Sequence, residues 1–179
     1  MCCVSGLLGA IAAQATELQT LSAAEMGSAA DAVIRGRVQT TRSFWNDDRT
    51  KIYTEIAVAA EQTYKGDVAG LVHVLQLGGT VDNVRVTVHG ALDWTVGEEV
   101  LLFLEPFREN RFVVTGLSQG KYLVERDPAT GEAYAARVPV RGDGPAEAGA
   151  AKAREKAERQ PLAQLLAAAL GAPARERQD

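Results

Sequence analysis

Cysteine and histidine are scarce in this 179-residue chain, with two of each. Cys2 and Cys3 stand side by side at the start. Adjacent cysteines do not readily bridge each other, and the chain has no zinc-finger, iron–sulfur or disulfide spacing. Basic charge is not in surplus either: 19 Lys and Arg stand against 23 Asp and Glu, for a net charge of −4. Proteins that live on DNA or RNA show the opposite balance, because phosphate contacts supply most of their affinity. No apolar run reaches the roughly 20 residues that a stable membrane span needs. Glycine and proline, at 17 and 6 residues, are not enriched, so collagen-like and low-complexity architectures are excluded. There is no phosphate-binding glycine loop and no dinucleotide fingerprint. The expectation is a protein with no metal, no organic cofactor and no nucleic-acid partner.

What is present begins with an address. Residues 1–15 carry no charge, and Val4 to Ala13 is apolar. Ala13-Gln14-Ala15 is the small-x-small pattern that a signal peptidase accepts. Residues 1–15 therefore read as a signal peptide cut between Ala15 and Thr16, and the protein as exported, periplasmic or secreted. Cleavage would leave the mature chain free of cysteine. The basic start of such a signal is missing, since the first basic residue is Arg35. A short buried helix is the alternative reading.

Ser22 and Glu25 form a capping-box pattern, which predicts a short helix over about residues 20–29. From Asp31 to Glu125 the pattern turns to strand. Gly36 interrupts a first β-rich segment and suggests a bulge. Ile52 to Tyr64 alternates, with Ile52, Thr54, Ile56, Val58 and Ala60 on one face and Tyr53, Glu55 and Glu61 on the other. Asn46-Asp47-Asp48 reads as the hairpin turn between them. Leu71–Leu77 ends at Gly78-Gly79. Val84, Val86 and Val88 predict a one-sided strand. Val100–Leu104 is apolar on both faces and should be central. Arg111–Thr115 and Lys121–Glu125 complete the set. The fold class expected is mainly β, a small OB-like closed barrel of five to six strands over residues 16–126. A turn and linker region follows over 127–145, then a helical tail over 146–179. In that tail Ala146–Arg159 favours helix, Pro161 breaks it, and Leu162, Leu165, Leu166, Ala169 and Leu170 form an apolar stripe. The stripe is expected to dock on the barrel, with a partner as the alternative.

Ala30 to Val38, the long strand closing on Tyr64-Lys65-Gly66, and the glycine turn and apolar strand of Val96 to Phe103 resemble the netrin-like modules. That family includes the tissue inhibitors of metalloproteinases, and the segment order also resembles that of exported bacterial proteins. The resemblance implies a five-stranded OB-type barrel with flanking helices. The inhibitors reach a protease zinc through an N-terminal cysteine, and nothing at Thr16 reproduces that group. The architecture carries over and the inhibitory mechanism does not.

Candidate chemistry is sparse. His73 and His89 lie in or beside strands, with Asp93 and Glu98 the first acids to follow His89 in sequence. Ser118 sits in Gly116-x-Ser-x-Gly120, the spacing of a hydrolase nucleophile elbow, but its flanks are both strand-like and the elbow needs a strand-to-helix turn. Asn46, Asp47 and Asp48 offer oxygens but fall short of a calcium loop. Phe44, Trp45, Tyr53 and Trp94 are candidate partner-binding residues, since exposed Trp and Tyr anchor interfaces; the alternative is that they plug the barrel ends. Arg35, Arg37 and Arg42 add a positive strip that could steer an acidic partner. The leading expectation is an exported, non-enzymatic module that binds a protein or peptide. Two alternatives stand beside it: an envelope hydrolase using Ser118 or the His73/His89 pair, and a single-stranded nucleic-acid-binding OB domain. The oligomeric state is not legible.

Overall fold

A computed structural model describes residues 20–137 and 159–171. The segment read as a signal peptide, with Cys2 and Cys3, the cleavage point expected at Ala15/Thr16, and nearly all of the helix expected over 146–159 lie outside the described residues.

The chain enters through α1 (Ala23–Ala29). Ser22 accepts from the Glu25 amide, and the Glu25 carboxylate accepts from the Ser22 amide, so two end groups of the helix are satisfied reciprocally. At the other end Lys65 donates to the carbonyls of Gly27 and Ala30, at 2.8 and 2.6 Å. A cation there complements the helix dipole.

Two long strands follow, β1 (Ala32–Trp45) and β2 (Ile52–Lys65), antiparallel throughout. The expected Asn46 turn joins them: its side-chain oxygen accepts from the amides of Thr50 and Lys51, both at 2.8 Å. The register slips at Gly36, as the bulge reading expects. A Cβ there would lie 2.2 Å from the Ala59 carbonyl oxygen, so only glycine lets the strands approach.

β3 (Gly70–Leu77) pairs with β2. Further along lie β6 (Glu99–Pro106) and β7 (Phe112–Val114), which pair with each other. β6 returns to β1, and β3 meets β7 in parallel, so the order β1-β2-β3-β7-β6-β1 closes a five-stranded OB-like barrel.

The Val84–Val88 expectation needs correction. β4 (Gly79–Val81) and β5 (Val84–Val86) form a small hairpin paired only with itself, and Val84 is exposed. Gly78, Gly79 and Asp82 all take positive φ. Those tight turns close the segment on itself as a hairpin that sits against Ser43 of β1 and Thr54 of β2, so its alternation never runs on as a barrel strand.

After β7 the chain continues as β8 (Lys121–Arg126), β9 (Ala133–Arg137), β10 (Arg159–Pro161) and α2 (Leu162–Leu170). β8, like β7, runs antiparallel to β6, and β9 and β10 add outward from it. The sheet thus runs on past Glu125, and Arg159 belongs to a strand rather than to the helix expected before Pro161. The Asp127–Gly131 turn falls between β8 and β9, where Asp127 accepts from the amides of Ala129 and Thr130.

β6 is central, and its two faces serve two cores. Val100, Leu102 and Leu104 fill the barrel with Ile34, Ile56, Val58, Val72 and Val74. Leu101 and Phe103 face outward beneath the helices, with Val33, Tyr122, Met26 and the α2 stripe Leu162, Leu165, Leu166 and Ala169. The stripe docks on its own chain, against α1 and β9. α1 and α2 cross so closely that a Cβ on Gly27 would fall 1.9 Å from the Ala169 carbonyl oxygen.

Candidate functional site

The two closures of the barrel are unequal. β1 and β6 match over six residue pairs, Ala32–Arg37 with Leu104–Glu99. β3 and β7 meet at one, Val74 with Phe112. Beyond it the strands part, and an apolar groove of about 540 Å³ opens between them.

Its walls come from four places. β2 and β3 supply Tyr53 and Val74–Leu77, the segment after β5 supplies Val88–Ala91 and Trp94, the end of β6 supplies Glu105 and Phe107, and β7 with the turn after it supplies Val113, Val114, Gly116 and Leu117. Leu77, Phe107 and Leu117 are three of the six exposed large apolar side chains among the described residues, so exposed apolar surface concentrates at this rim. Glu105 is the single Asp or Glu in the lining, and no Lys or Arg contributes.

The backbone at the rim matters as well. The Gly78 amide donates to the Ile52 carbonyl at 2.8 Å. Together with the register of Tyr53 opposite Leu77, this makes that pair a non-hydrogen-bonded one. Leu77 therefore turns its own amide and carbonyl away from β2, toward the side where β7 has already diverged.

Trp94 is held on two sides. Its indole N–H donates to Gln76 Oε1 at 3.2 Å, and the Gln76 carboxamide also bonds both backbone groups of Leu92, each at 3.0 Å. Buried Lys121 places Nζ 4.1 Å from the Trp94 ring centre and donates to the Asp93 carbonyl at 2.6 Å and to the Glu98 carboxylate. One groove wall is thereby fixed without a strand. Trp94 packs against the barrel core and lines the groove.

Leu117 has φ of +65°, a conformation that costs a branched side chain about 1 kcal/mol or more, and it is 65% exposed. Burial does not account for it. The surrounding turn is a bulge: Phe103 bonds Thr115 through its carbonyl and Gly120 through its amide, and Gly120 returns to Thr115. Ser118 is buried within that bulge between two stretches antiparallel to β6.

A polar latch flanks the single β3–β7 pair. Arg111, one residue before Phe112, donates from Nε to Glu55 Oε2 at 2.7 Å and also pairs with Glu109. His73 Nδ1 lies 3.6 Å from Glu55 Oε1. The Arg111 hydrogen bond holds the Glu55 carboxyl below its ordinary pKa against the opposing effect of burial.

Of the four aromatic candidates, Tyr53 and Trp94 line the groove. Phe44 backs Tyr53, with ring centres 6.4 Å apart, and Trp45 pairs with Ile52 and does not reach the lining. His89 lines the groove, whereas His73 and Ser118 do not. No group of three His, Cys, Asp or Glu suited to a metal ion occurs among the described residues. Sequence reading missed Leu77, Phe107 and Leu117. The available signal was a large apolar residue inside or beside a glycine or polar turn. Comparison with protein-family models and with curated protein sequences finds no match for this chain.

Proposed function

We propose that the protein is a non-enzymatic binding module that takes an extended apolar peptide segment of a partner protein into the β3/β7 groove. The observation that carries this is the parting of two strands over an apolar cleft with exposed Leu77, Phe107 and Leu117 at its rim. An extended segment can satisfy the outward-facing backbone of Leu77 while its alternate side chains enter the cleft. A volume of about 540 Å³ is enough for a few side chains. The absence of Lys and Arg from the lining disfavours a nucleic-acid strand, which needs a cationic track. The hydrolase reading lacks support, because Ser118 is buried and neither it nor His73 joins His89 at the cleft. The OB-like strand order supports kinship with netrin-like modules, and the apolar start of the chain supports export.

Panning a random decapeptide display library on the immobilised protein tests the reading. Enriched peptides should carry alternating apolar residues and should lose about tenfold or more in affinity for Leu117→Asp. No enrichment over a blank surface, or enriched peptides indifferent to Leu117→Asp, would overturn it.

A further inference from the structure

The outer face of β1 and β6 changes character along its length. Val33 opposite Phe103 lies beneath the helices. Two steps on, Arg35 stands opposite Leu101, and after two more, Arg37 stands opposite Glu99. Arg126 at the end of β8 joins them. Three guanidinium groups converge on the one Glu99 carboxylate: Arg35 Nε and Arg126 Nη2 approach Oε1 at 3.6 and 3.2 Å, and Arg37 Nη2 approaches Oε2 at 3.4 Å. The other acid in reach among the described residues is Glu61, 3.4 Å from Arg37 Nε. Among the described residues three cations thus meet two anions, a local positive surplus on a chain whose net charge is −4.

The cluster is also short of acceptors. Arg35 Nε is buried and has no hydrogen-bond partner among the described residues, its nearest carboxylate oxygen being beyond bonding distance. Arg35 and Arg126 share a single oxygen, although each guanidinium carries five N–H donors. Arg37 and Arg126 are 43% and 50% exposed, so their remaining donors can reach a second molecule.

We infer that Arg35, Arg37 and Arg126 form a docking surface for an acidic segment of a partner protein, whose Asp or Glu carboxylates accept from the exposed guanidiniums of Arg37 and Arg126 while Arg35 adds its charge from below. Glu99 demonstrates the chemistry, since the group already seated among the guanidiniums is a carboxylate. Arg37 and Arg126 present exposed guanidiniums on the two sides of the largely buried Glu99, an arrangement that suits carboxylates spaced along a segment approaching from outside. This surface surrounds the first residue of β6, whereas the groove takes Glu105 and Phe107 from the opposite end of that strand. The two sites are independent.

The test uses the full chain and a fluorescein-labelled peptide of alternating Glu and Gly, followed by fluorescence anisotropy. Wild type should bind, and binding should weaken from low salt to about 0.15 M salt. Arg126→Gln should lose about fivefold, the scale of one exposed charge pair. Glu99→Gln should bind more tightly, because the internal competitor is gone, and it keeps the test open if Arg35 variants fail to fold. Leu117→Asp should leave this binding unchanged, so failure of the groove reading would show separately. No binding by wild type and Glu99→Gln alike, or equal binding by Arg126→Gln, would overturn the inference. An equally tight, equally arginine-dependent complex with an oligothymidine would overturn its assignment to an acidic protein segment.

Discussion

The β1–β6 and β3–β7 closures complete the same barrel and do different work. The first aligns six residue pairs, buries Leu102 inside and Leu101 outside, and is roofed by two helices. The second rests on Val74 with Phe112 and is reinforced by the Glu55–Arg111 pair. The difference teaches where such a small barrel can afford an opening. Stability is concentrated where β6 has apolar neighbours on both faces, and the other closure is left with a groove beside it.

The contrast can be broken from the strong side first. Leu102→Ala removes a fully buried side chain from the centre of β6 and should cost about 3 kcal/mol, read by urea denaturation. Phe112→Ala at the half-buried weak closure should cost clearly less; equal losses would remove the distinction.

Leu117→Gly sharpens the contrast by moving stability and binding in opposite directions. Glycine relieves the positive φ at little packing loss, so the midpoint of unfolding should rise by the equivalent of about 1 kcal/mol. Affinity for groove-selected peptides should fall in the same variant. A loss of stability would mean that Leu117 is held by packing and is not reserved for a ligand.

Glu55→Gln should have the smallest effect, about 0.5 kcal/mol at neutral pH. Its carboxyl has a lowered pKa in the folded protein. The stability it contributes is therefore fully present above the ordinary carboxylate range and is lost as pH falls through the lowered folded value. Wild type and variant should converge at acid pH in pH-dependent unfolding curves. A gap that stays constant as the solution is acidified would rule out the titration as its source.

Much of the scaffold was legible because β6 writes its position in sequence: five consecutive apolar residues need cover on both sides, and Leu101 and Leu102 found it. Ser22 with Glu25 and the α2 stripe were equally local signals. The site was less legible. Tyr53 and Trp94 were visible as aromatics, but the groove depends on where β3 and β7 separate, a long-range property carried by no single residue. Beyond the glycine beside it, Leu117 carried no signal of its own, since neither its positive φ nor its exposure is written in a local pattern. Val84–Val88 misled because alternation shows which residues share a face and does not show whether anything covers that face. Arg35 and Arg37 were seen as a strip, whereas Arg126, from a strand far along the chain, completes the cluster.

The most direct test is amide hydrogen exchange, residue by residue, with and without a peptide selected on the groove. The account predicts that Leu77 exchanges readily in the free protein and becomes protected when peptide binds, while the β1–β6 amides from Val33 to Arg37 stay slow in both states. Unchanged exchange at Leu77 on saturation with peptide, or protection appearing instead along β1 and β6, would contradict it.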